Sequence, residues 1–102
     1  MSELDVREKV KLLPRQPGVY QFLDAEGNIV YIGKAIDLRS RVGSYFGSST
    51  GMSGKTLRLV RTIVDLRTIL VATEFDALLL ENSLIKQHQP KYNVALKDDK
   101  SY

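Results

Sequence analysis

The strongest constraint on the fold of this 102-residue chain is a predicted β-hairpin. Two short β-rich runs, residues 18–24 and 28–34, flank the turn-forming stretch Asp-Ala-Glu-Gly, a pattern typical of two paired antiparallel strands. Each run carries a tyrosine, Tyr20 in the first and Tyr31 in the second. A two-residue turn would place the tyrosines directly opposite, whereas a three-residue turn that uses Gly27 would shift the register by one. The sequence therefore predicts the hairpin and leaves the relative facing of its tyrosines open.

Helical periodicity and capping residues predict four helices and one further strand around this hairpin. We expect that strand to be largely buried, because it is rich in apolar and β-branched residues. In chain order, the predicted elements are a helix over 3–13, a helix from Asp37 to about Phe46, a flexible loop over 47–54, a basic amphipathic helix over 55–64 with Leu57, Val60 and Val64 on one side, a strand over 67–72, a helix from Thr73 to about Gln89, and an extended polar tail over 91–102.

This order predicts an α+β domain, with a small three-stranded antiparallel or mixed sheet flanked by helices. A length of 102 residues suits one domain over 1–102 and is too short for two. The chain stops in a charged stretch, so we expect it to be a domain of a longer protein. The lack of cysteine excludes disulfides, thiolate chemistry and cysteine zinc sites. No apolar run approaches the roughly 20 residues of a membrane span, and we expect a cytoplasmic protein.

The net charge of +3 is unevenly distributed along the chain. Residues 34–61 contain six Lys and Arg residues against a single Asp. In each of the flanking segments, 1–33 and 62–102, acidic residues outnumber basic ones by one. A basic segment inside an otherwise neutral domain is the footprint of a contact with a nucleic-acid phosphate backbone, although charge alone equally allows a solvated helix face. The candidate DNA-binding residues are Arg39, Lys55, Arg58 and Arg61.

Glu81 is the position most informative about chemistry. It lies in the middle of the last predicted helix, and its neighbours three and four residues away are all apolar, namely Ala77, Leu78, Leu84 and Ile85. A carboxylate inside an apolar arc must be paired, hydrogen-bonded or bound to a cation, because burying it bare is costly. A metal ligand and a buried salt bridge are equally good interpretations of this pattern.

The second predicted helix carries two arginines that cannot share one task. Arg39 and Arg41 are separated by one residue, so their side chains point about 200° apart. Arg41 follows Leu38 by three residues, which places it beside the apolar edge of the helix and toward the sheet, whereas Arg39 faces outward. Arg41 is therefore the arginine that we expect at a site built on the hairpin.

Several motifs at ordered intervals resemble those of the GIY-YIG nuclease family. The first strand contains Gly-Val-Tyr at 18–20 and the second contains Tyr-Ile-Gly at 31–33, the paired triplets that name the family, with valine in place of one isoleucine. The resemblance spans about residues 14–98, and its flanks are most similar to the branch that acts in bacterial nucleotide excision repair. Further matches are Lys34, Leu38 with Arg41 three residues later, Glu81 on a late helix, and Pro-Lys-Tyr-Asn at 90–93.

The resemblance implies a metal-dependent endonuclease that hydrolyses one phosphodiester bond of damaged double-stranded DNA. The domain would stand at the N-terminus of its protein and make the cut on the 3′ side of a lesion. It would act in a complex assembled by the repair helicase subunit UvrB and need no organic cofactor. Glu81 would hold one Mg²⁺ or Mn²⁺, hard cations that prefer oxygen ligands, and Arg41 would stabilise the phosphate in the transition state.

The resemblance also assigns a task to the tyrosines. One of them would position and deprotonate the attacking water, with Tyr31 favoured and Tyr20 as its hydrogen-bond partner. An unperturbed tyrosine has a pKa near 10, so a nearby cation, either Lys34, Arg41 or the metal, would have to lower it. Tyr45, four residues after Arg41, would reach the same site, and Asn93 would orient the site from the tail.

Two other functions remain open at this point. A basic α+β module that grips DNA without cutting it explains the charged segment but gives Glu81 no task. A nuclease of the same fold with a different substrate, such as a homing or structure-specific enzyme, is the second alternative. Substitution of Glu81 separates the first from a nuclease, and a damage-dependent cutting assay separates the second.

Overall fold

The computed structural model describes residues 6–47 and 54–93 and confirms the predicted α+β architecture. The elements are α1 (Val6–Lys11), β1 (Gly18–Leu23), β2 (Ile29–Ala35), α2 (Leu38–Phe46), α3 (Gly54–Thr62), β3 (Asp65–Leu70) and α4 (Glu74–His88). The strand order is β2-β1-β3 and both pairs are antiparallel, which selects one of the two predicted sheet types. The predicted helix start at 3–5, most of the predicted loop and the tail beyond residue 93 lie outside the described residues.

Two residues hold the hairpin turn between β1 and β2. The carboxylate of Asp24 accepts hydrogen bonds from the backbone N–H groups of Glu26 and Asn28, each at 2.9 Å. Gly27 has a φ of 84°, a left-handed conformation that glycine adopts without steric cost. The turn residues identified in the sequence therefore close the hairpin by local hydrogen bonds and backbone freedom.

The register of the hairpin settles how its tyrosines face. Tyr20 lies opposite Gly33, and Phe22 lies opposite Tyr31. Directly paired residues share a face, and the side-chain period along a strand is two. Tyr20 and Tyr31 therefore project from the same face as diagonal neighbours, and they do not sit directly opposite each other.

Different helices cover the two faces of the sheet. We call the face with Tyr20, Phe22 and Tyr31 the tyrosine face and the face with Val19 and Ile32 the α4 face. The central strand β1 is covered on both faces, and all six of its residues are buried. The tyrosine face packs with α1, α2 and α3 through Val6, Val10, Leu38, Val42 and Leu59, and the α4 face packs with Ala77, Leu80, Leu84 and Ile85.

The prediction of a largely buried third strand is wrong. In β3 only Leu66 is buried, while Ile69 is 38% and Leu70 is 51% exposed. β3 is an edge strand, and α4 packs over β2 and β1, toward the opposite edge of the sheet. The outer part of β3 therefore lacks the helical cover that its apolar sequence suggested.

The buried side of α3 also differs from the prediction. Leu59 is fully buried and Ile63, four residues later, packs into the same cluster. Leu57 is 36% exposed, and Val64 lies beyond the helix end and is 50% exposed. Leu59 therefore marks the inner side of α3, and Ile63, just beyond the helix end, continues the same cluster.

The start of the tail is compact, whereas the sequence predicted an extended chain. Gln89 ends α4 in the left-handed conformation, with a φ of 47°. Residues 91–93 then form a helical turn, in which Tyr92 is only 8% exposed and belongs to the cluster on the tyrosine face. Burial of Pro90 and Tyr92 stabilises this turn, because apolar side chains gain free energy on leaving water.

We predict that Gly18→Ala lowers the free energy of unfolding by roughly 1–3 kcal/mol, the usual cost of overpacking. A Cβ at position 18 would lie 2.6 Å from the backbone oxygen of Ile69 and 2.7 Å from Cδ1 of Leu38. The control is Gly54→Ala, since a Cβ there meets nothing within 4 Å. Urea denaturation measures both variants, and equal midpoints would contradict the predicted clash.

Candidate active site

Three tyrosines from three elements meet on the tyrosine face. The hydroxyl groups of Tyr20 in β1 and Tyr45 in α2 are hydrogen-bonded at 3.0 Å. The ring of Tyr31 in β2 lies 6.3 Å from that of Tyr20 and 6.4 Å from that of Tyr45, measured between centroids. We call Tyr20, Tyr31 and Tyr45 the tyrosine cluster. The partner of the Tyr20 hydroxyl is Tyr45, where the resemblance implied Tyr31.

Gly33 makes room for the ring of Tyr20. A Cβ at position 33 would lie 2.3 Å from the hydroxyl oxygen of Tyr20 and 2.4 Å from its Cζ. The absence of a side chain lets the ring lie against the neighbouring strand and direct its hydroxyl toward Tyr45. Sequence reasoning did not assign this function to Gly33. The signal for it was a glycine cross-strand from a tyrosine, which is readable only once the register is known.

Arg41 lies at the tyrosine cluster, as its position on α2 predicted. Its guanidinium carbon is 6.0 Å from the centroid of the Tyr45 ring. The pKa of Arg41 is raised chiefly by the charge of Tyr20 when ionised, with Tyr45 and Tyr31 contributing, so Arg41 stays a cation. A cation beside three hydroxyl groups offers hydrogen-bond donors to an anionic phosphate.

The connection before β1 anchors the helix that carries Arg41 and Tyr45. The first free N–H groups of α2, those of Leu38 and Arg39, donate to the carbonyls of Gln16 and Pro14 at 3.1 and 3.3 Å. The carboxylate of Asp37 caps the helix by accepting from the N–H of Ser40 at 3.1 Å. These partners satisfy backbone groups that a helix N-terminus leaves open.

The structure separates Arg39 from the tyrosine cluster. Its side chain is exposed, and its Nε donates a hydrogen bond to the carbonyl of Leu13 at 2.8 Å. Asp37, two residues before it in the chain, pairs with Arg15 at 2.9 Å. Arg39 thus helps to fasten α2 to the chain segment before β1.

Burial governs the ionisation of the tyrosine cluster. It raises the pKa of Tyr20 to about 12, and nearby Tyr31 adds to the rise, while the Tyr45 hydrogen bond and the charge of Arg41 oppose it. Burial also raises the pKa of Tyr31 and of Tyr45, again against the charge of Arg41. The three hydroxyl groups are therefore neutral at pH 7. The charge of Arg41 does not bring the pKa of any of the three tyrosines below its ordinary value, contrary to the effect expected of a nearby cation.

Glu81 belongs to α4, the helix that packs on the opposite face of the sheet from the tyrosine cluster. It is partly buried on α4, and its negative charge adds to the rise in the pKa of Tyr31, after the larger effects of burial and of Tyr45. Lys34 pairs with Val19 and so starts from the α4 face. The cation that favours ionisation of the tyrosines is Arg41.

Asn93 fastens the open edge of β2 beside Tyr31. Its side-chain oxygen accepts from the N–H of Ile32 at 2.7 Å, and its side-chain nitrogen donates to the carbonyl of the same residue at 2.8 Å. β2 is an edge strand, so these backbone groups face away from β1 and would otherwise lack a protein partner. One amide thus fixes the backbone of the residue that follows Tyr31.

The donor groups of the site suit a hard cation with few protein ligands. The described part of the chain contains no cluster of three or more His, Cys, Asp or Glu residues able to hold a metal ion. Glu81 therefore offers one carboxylate, and the neighbouring groups are hydroxyl oxygens of tyrosines. Mg²⁺ retains several waters and is often bound through one or two carboxylates plus a substrate phosphate, so this donor set fits it.

Three of the residues predicted to bind DNA lie on α3, apart in sequence from the tyrosine cluster and Glu81. Lys55, Arg58 and Arg61 are all exposed, and Arg58 and Arg61 line a shallow groove of about 240 Å³ together with Gly54 and Leu57. Residues 58 and 61 are three apart, so their side chains project from one side of α3.

Residues 16–94 match the sequence pattern of the UvrC-like GIY-YIG domain. The chain belongs to this family. UvrABC system protein C of Chlorobium phaeobacteroides is 54% identical over 95 residues, which cover 93% of this chain and 15% of that protein. The corresponding protein of Bacteroides thetaiotaomicron is 58% identical over 97 residues, or 95% of this chain and 16% of the relative. The chain thus spans about 15% of the length of the curated relatives that it matches.

A solved structure supports the same assignment. The GIY-YIG N-terminal endonuclease domain of UvrC from Thermotoga maritima, bound to its catalytic divalent cation, magnesium, matches with a TM-score of 0.77 and 40% identity. The match covers 90% of this chain and 98% of that one. Both the family, indicated by the Gly-Val-Tyr and Tyr-Ile-Gly triplets, and the α+β fold, predicted from the order of helices and strands, are confirmed.

We predict that stability depends on pH through the buried hydroxyl of Tyr20. Its pKa is 10.0 when unperturbed and about 12 in the fold, so the stabilising contribution is complete below pH 10.0 and is lost as the pH rises through about 12. Within that window one such group lowers the unfolding free energy by up to about 1.4 kcal/mol per pH unit. Urea denaturation should show a shallower decline for Tyr20→Phe, and equal slopes would contradict the assignment.

Proposed function

We propose that this domain is a Mg²⁺-dependent DNA endonuclease that makes the 3′-side incision at lesions in bacterial nucleotide excision repair. The observation that carries the proposal is the tyrosine cluster with Arg41 beside it at the hairpin, near enough to Glu81 of α4 for its negative charge to raise the pKa of Tyr31. Together these residues offer a carboxylate for a cation, a fixed positive charge for phosphate, and hydroxyl groups for water. Membership of the UvrC-like GIY-YIG family supports the same chemistry.

Glu81 is the residue that we assign to the cation. When bound, Mg²⁺ supplies positive charge that neutralises the phosphate and stabilises the leaving oxygen. The rest of the chemistry falls to the protein's own side chains. Arg41 donates hydrogen bonds to the phosphate and stabilises the crowded, more negative transition state.

Tyr31 is the hydroxyl that we assign to the attacking water. It is only partly buried, whereas Tyr20 is fully buried and already bonded to Tyr45. The hydroxyl oxygen of Tyr31 accepts a hydrogen bond from the water. Once Tyr31 has lost its own proton to solvent, its phenolate oxygen takes a proton from the attacking water. Burial opposes that ionisation and Arg41 favours it. Tyr20 and Tyr45 hold the cluster in place, and Asn93 acts as a positioning residue through the backbone of Ile32.

The proposed DNA-binding surface extends from the site to α3. Lys55, Arg58 and Arg61 contact the phosphate backbone without reading bases, because long basic side chains on one exposed helix recognise charge and spacing. Arg39, with its Nε committed to Leu13, contributes through its remaining guanidinium nitrogens. Cutting and holding are thereby assigned to different elements.

The biological setting is part of the proposal. The domain stands at the N-terminus of a longer cytoplasmic protein and acts on damaged double-stranded DNA in a complex with UvrB, without an organic cofactor. Support comes from the relatives, which bear the name UvrABC system protein C. None of the helices within residues 6–47 and 54–93 is long and apolar enough to cross a membrane.

We predict that Glu81→Gln strongly reduces the rate of the 3′ cut while DNA binding is retained. The assay uses the full-length protein with UvrB, a duplex that carries a lesion, and Mg²⁺. We expect a loss of roughly a hundredfold or more, the scale for losing one charge-stabilising group, and partial rescue as Mg²⁺ is raised. Glu26→Gln in the hairpin turn is the control. Unchanged cutting by Glu81→Gln would remove it as the metal ligand and restore the DNA-binding module as the better function.

We predict that neutralising α3 weakens DNA binding at every sequence alike. Each of Lys55→Gln, Arg58→Gln and Arg61→Gln should reduce the slope of log affinity against log salt by about one. Fluorescence anisotropy at several salt concentrations measures these slopes, with Lys11→Gln on α1 as the control. Unaltered slopes in the triple variant would show that α3 does not contact the phosphates.

A further inference from the structure

The outer side of α4 exposes three large apolar residues that the proposed nuclease function does not use. Phe75 is 64%, Leu78 is 37% and Leu79 is 52% exposed. They lie three and four residues apart, so they form one continuous patch, which we call the α4 outer patch. The opposite side of the helix, with Ala77 and Leu84, already packs against the sheet. A contiguous apolar patch of this kind marks an interaction surface.

The charges around the α4 outer patch argue against DNA as its partner. Glu74 and Asp76 flank Phe75 and are both exposed. The first basic residue of α4 is Lys86, near its other end. An apolar centre with an acidic rim repels a phosphate backbone and suits a protein surface that has an apolar socket edged by Lys or Arg.

The length of the relatives indicates where such a surface would come from. This chain corresponds to 15% of a relative's length, so most of such a polypeptide lies outside the domain. The remainder of such a polypeptide is therefore a possible source of the surface that covers the patch.

We infer that the α4 outer patch docks onto another region of the same polypeptide in the full-length protein, through an apolar socket with a basic rim. Leu78 precedes Glu81 by three residues on the helix, so the docked region borders the proposed metal ligand. The docking thus places the rest of the polypeptide beside the site of cutting. This inference does not depend on the nuclease activity.

Cysteine labelling tests the inference directly, because the domain has no cysteine of its own. Leu79→Cys and, separately, Phe75→Cys are placed in the full-length protein and in the 102-residue domain. A domain of matching extent from Thermotoga maritima is folded by itself. Maleimide labelling is followed by mass spectrometry, on the tryptic peptide 68–86 for the patch variants and on the tryptic peptide 12–15 for the control. Leu12→Cys, at a position that is 73% exposed on α1's side of the molecule, is the control.

We expect labelling at both patch positions to be at least about tenfold slower in the full-length protein, which corresponds to a docked fraction of about 90%, with the control unchanged. Equal rates in the two proteins would overturn the inference. Protection in the domain alone that grows with its concentration would indicate a second copy. Protection only after a separate protein is added would indicate an external partner. A reading frame that ends at Tyr102 would leave no further region of the polypeptide to cover the patch. Each of these results overturns the docking proposed here.

Discussion

The contact between the ring of Tyr20 and the backbone of Gly33 determines the shape of the site. Tyr20 has no exposed surface, and its hydroxyl meets that of Tyr45 at 3.0 Å. Any side chain at position 33 would overlap the ring, because a Cβ there lies 2.3 Å from the hydroxyl oxygen. The pairing of a tyrosine with a glycine across the strands thus fixes the distance between the hairpin and α2, and with it the position of Arg41. The two triplets that name the family meet at this contact.

The open edge of β2 allows groups from both faces of the sheet to reach one place. α4 lies on one face and the tyrosine cluster on the other, yet the charge of Glu81 acts on Tyr31. After α4, the chain turns at Gln89 and passes the edge, where Asn93 satisfies both backbone groups of Ile32. An interior strand has no free backbone groups for such a contact, since neighbouring strands occupy them. The site is therefore built at an edge strand, and its last residues come from the end of the described chain.

The tyrosine cluster and the residues around it differ in charge. Burial keeps the tyrosine hydroxyls neutral, because it disfavours the charged form, and Arg41 provides the opposing positive charge. In the proposed reaction, Tyr20 and Tyr45 stay neutral and hold hydrogen bonds, Tyr31 takes the proton of the attacking water once it is ionised, and the charge needed for phosphate chemistry comes from Arg41 and a cation at Glu81. The basic side chains of α3 add longer-range attraction, which salt screens. The acidic rim of the α4 outer patch lies outside this basic surface and suits a protein partner.

The sequence by itself determined the hairpin, the capped helices and the family, because these follow from local turn chemistry, periodicity and ordered motifs. It also singled out Glu81 by its apolar neighbours and Arg41 by its helix position. Tertiary structure decided the features that depend on neighbours: the diagonal placement of Tyr20 and Tyr31, the exposure of β3, the compact turn at 91–93 and the rise in the tyrosine pKa values. Register, edge position and burial arise only when distant segments pack together. For this reason the sequence could name candidate site residues, while only the fold could place Lys34 on one face and the tyrosine cluster on the other.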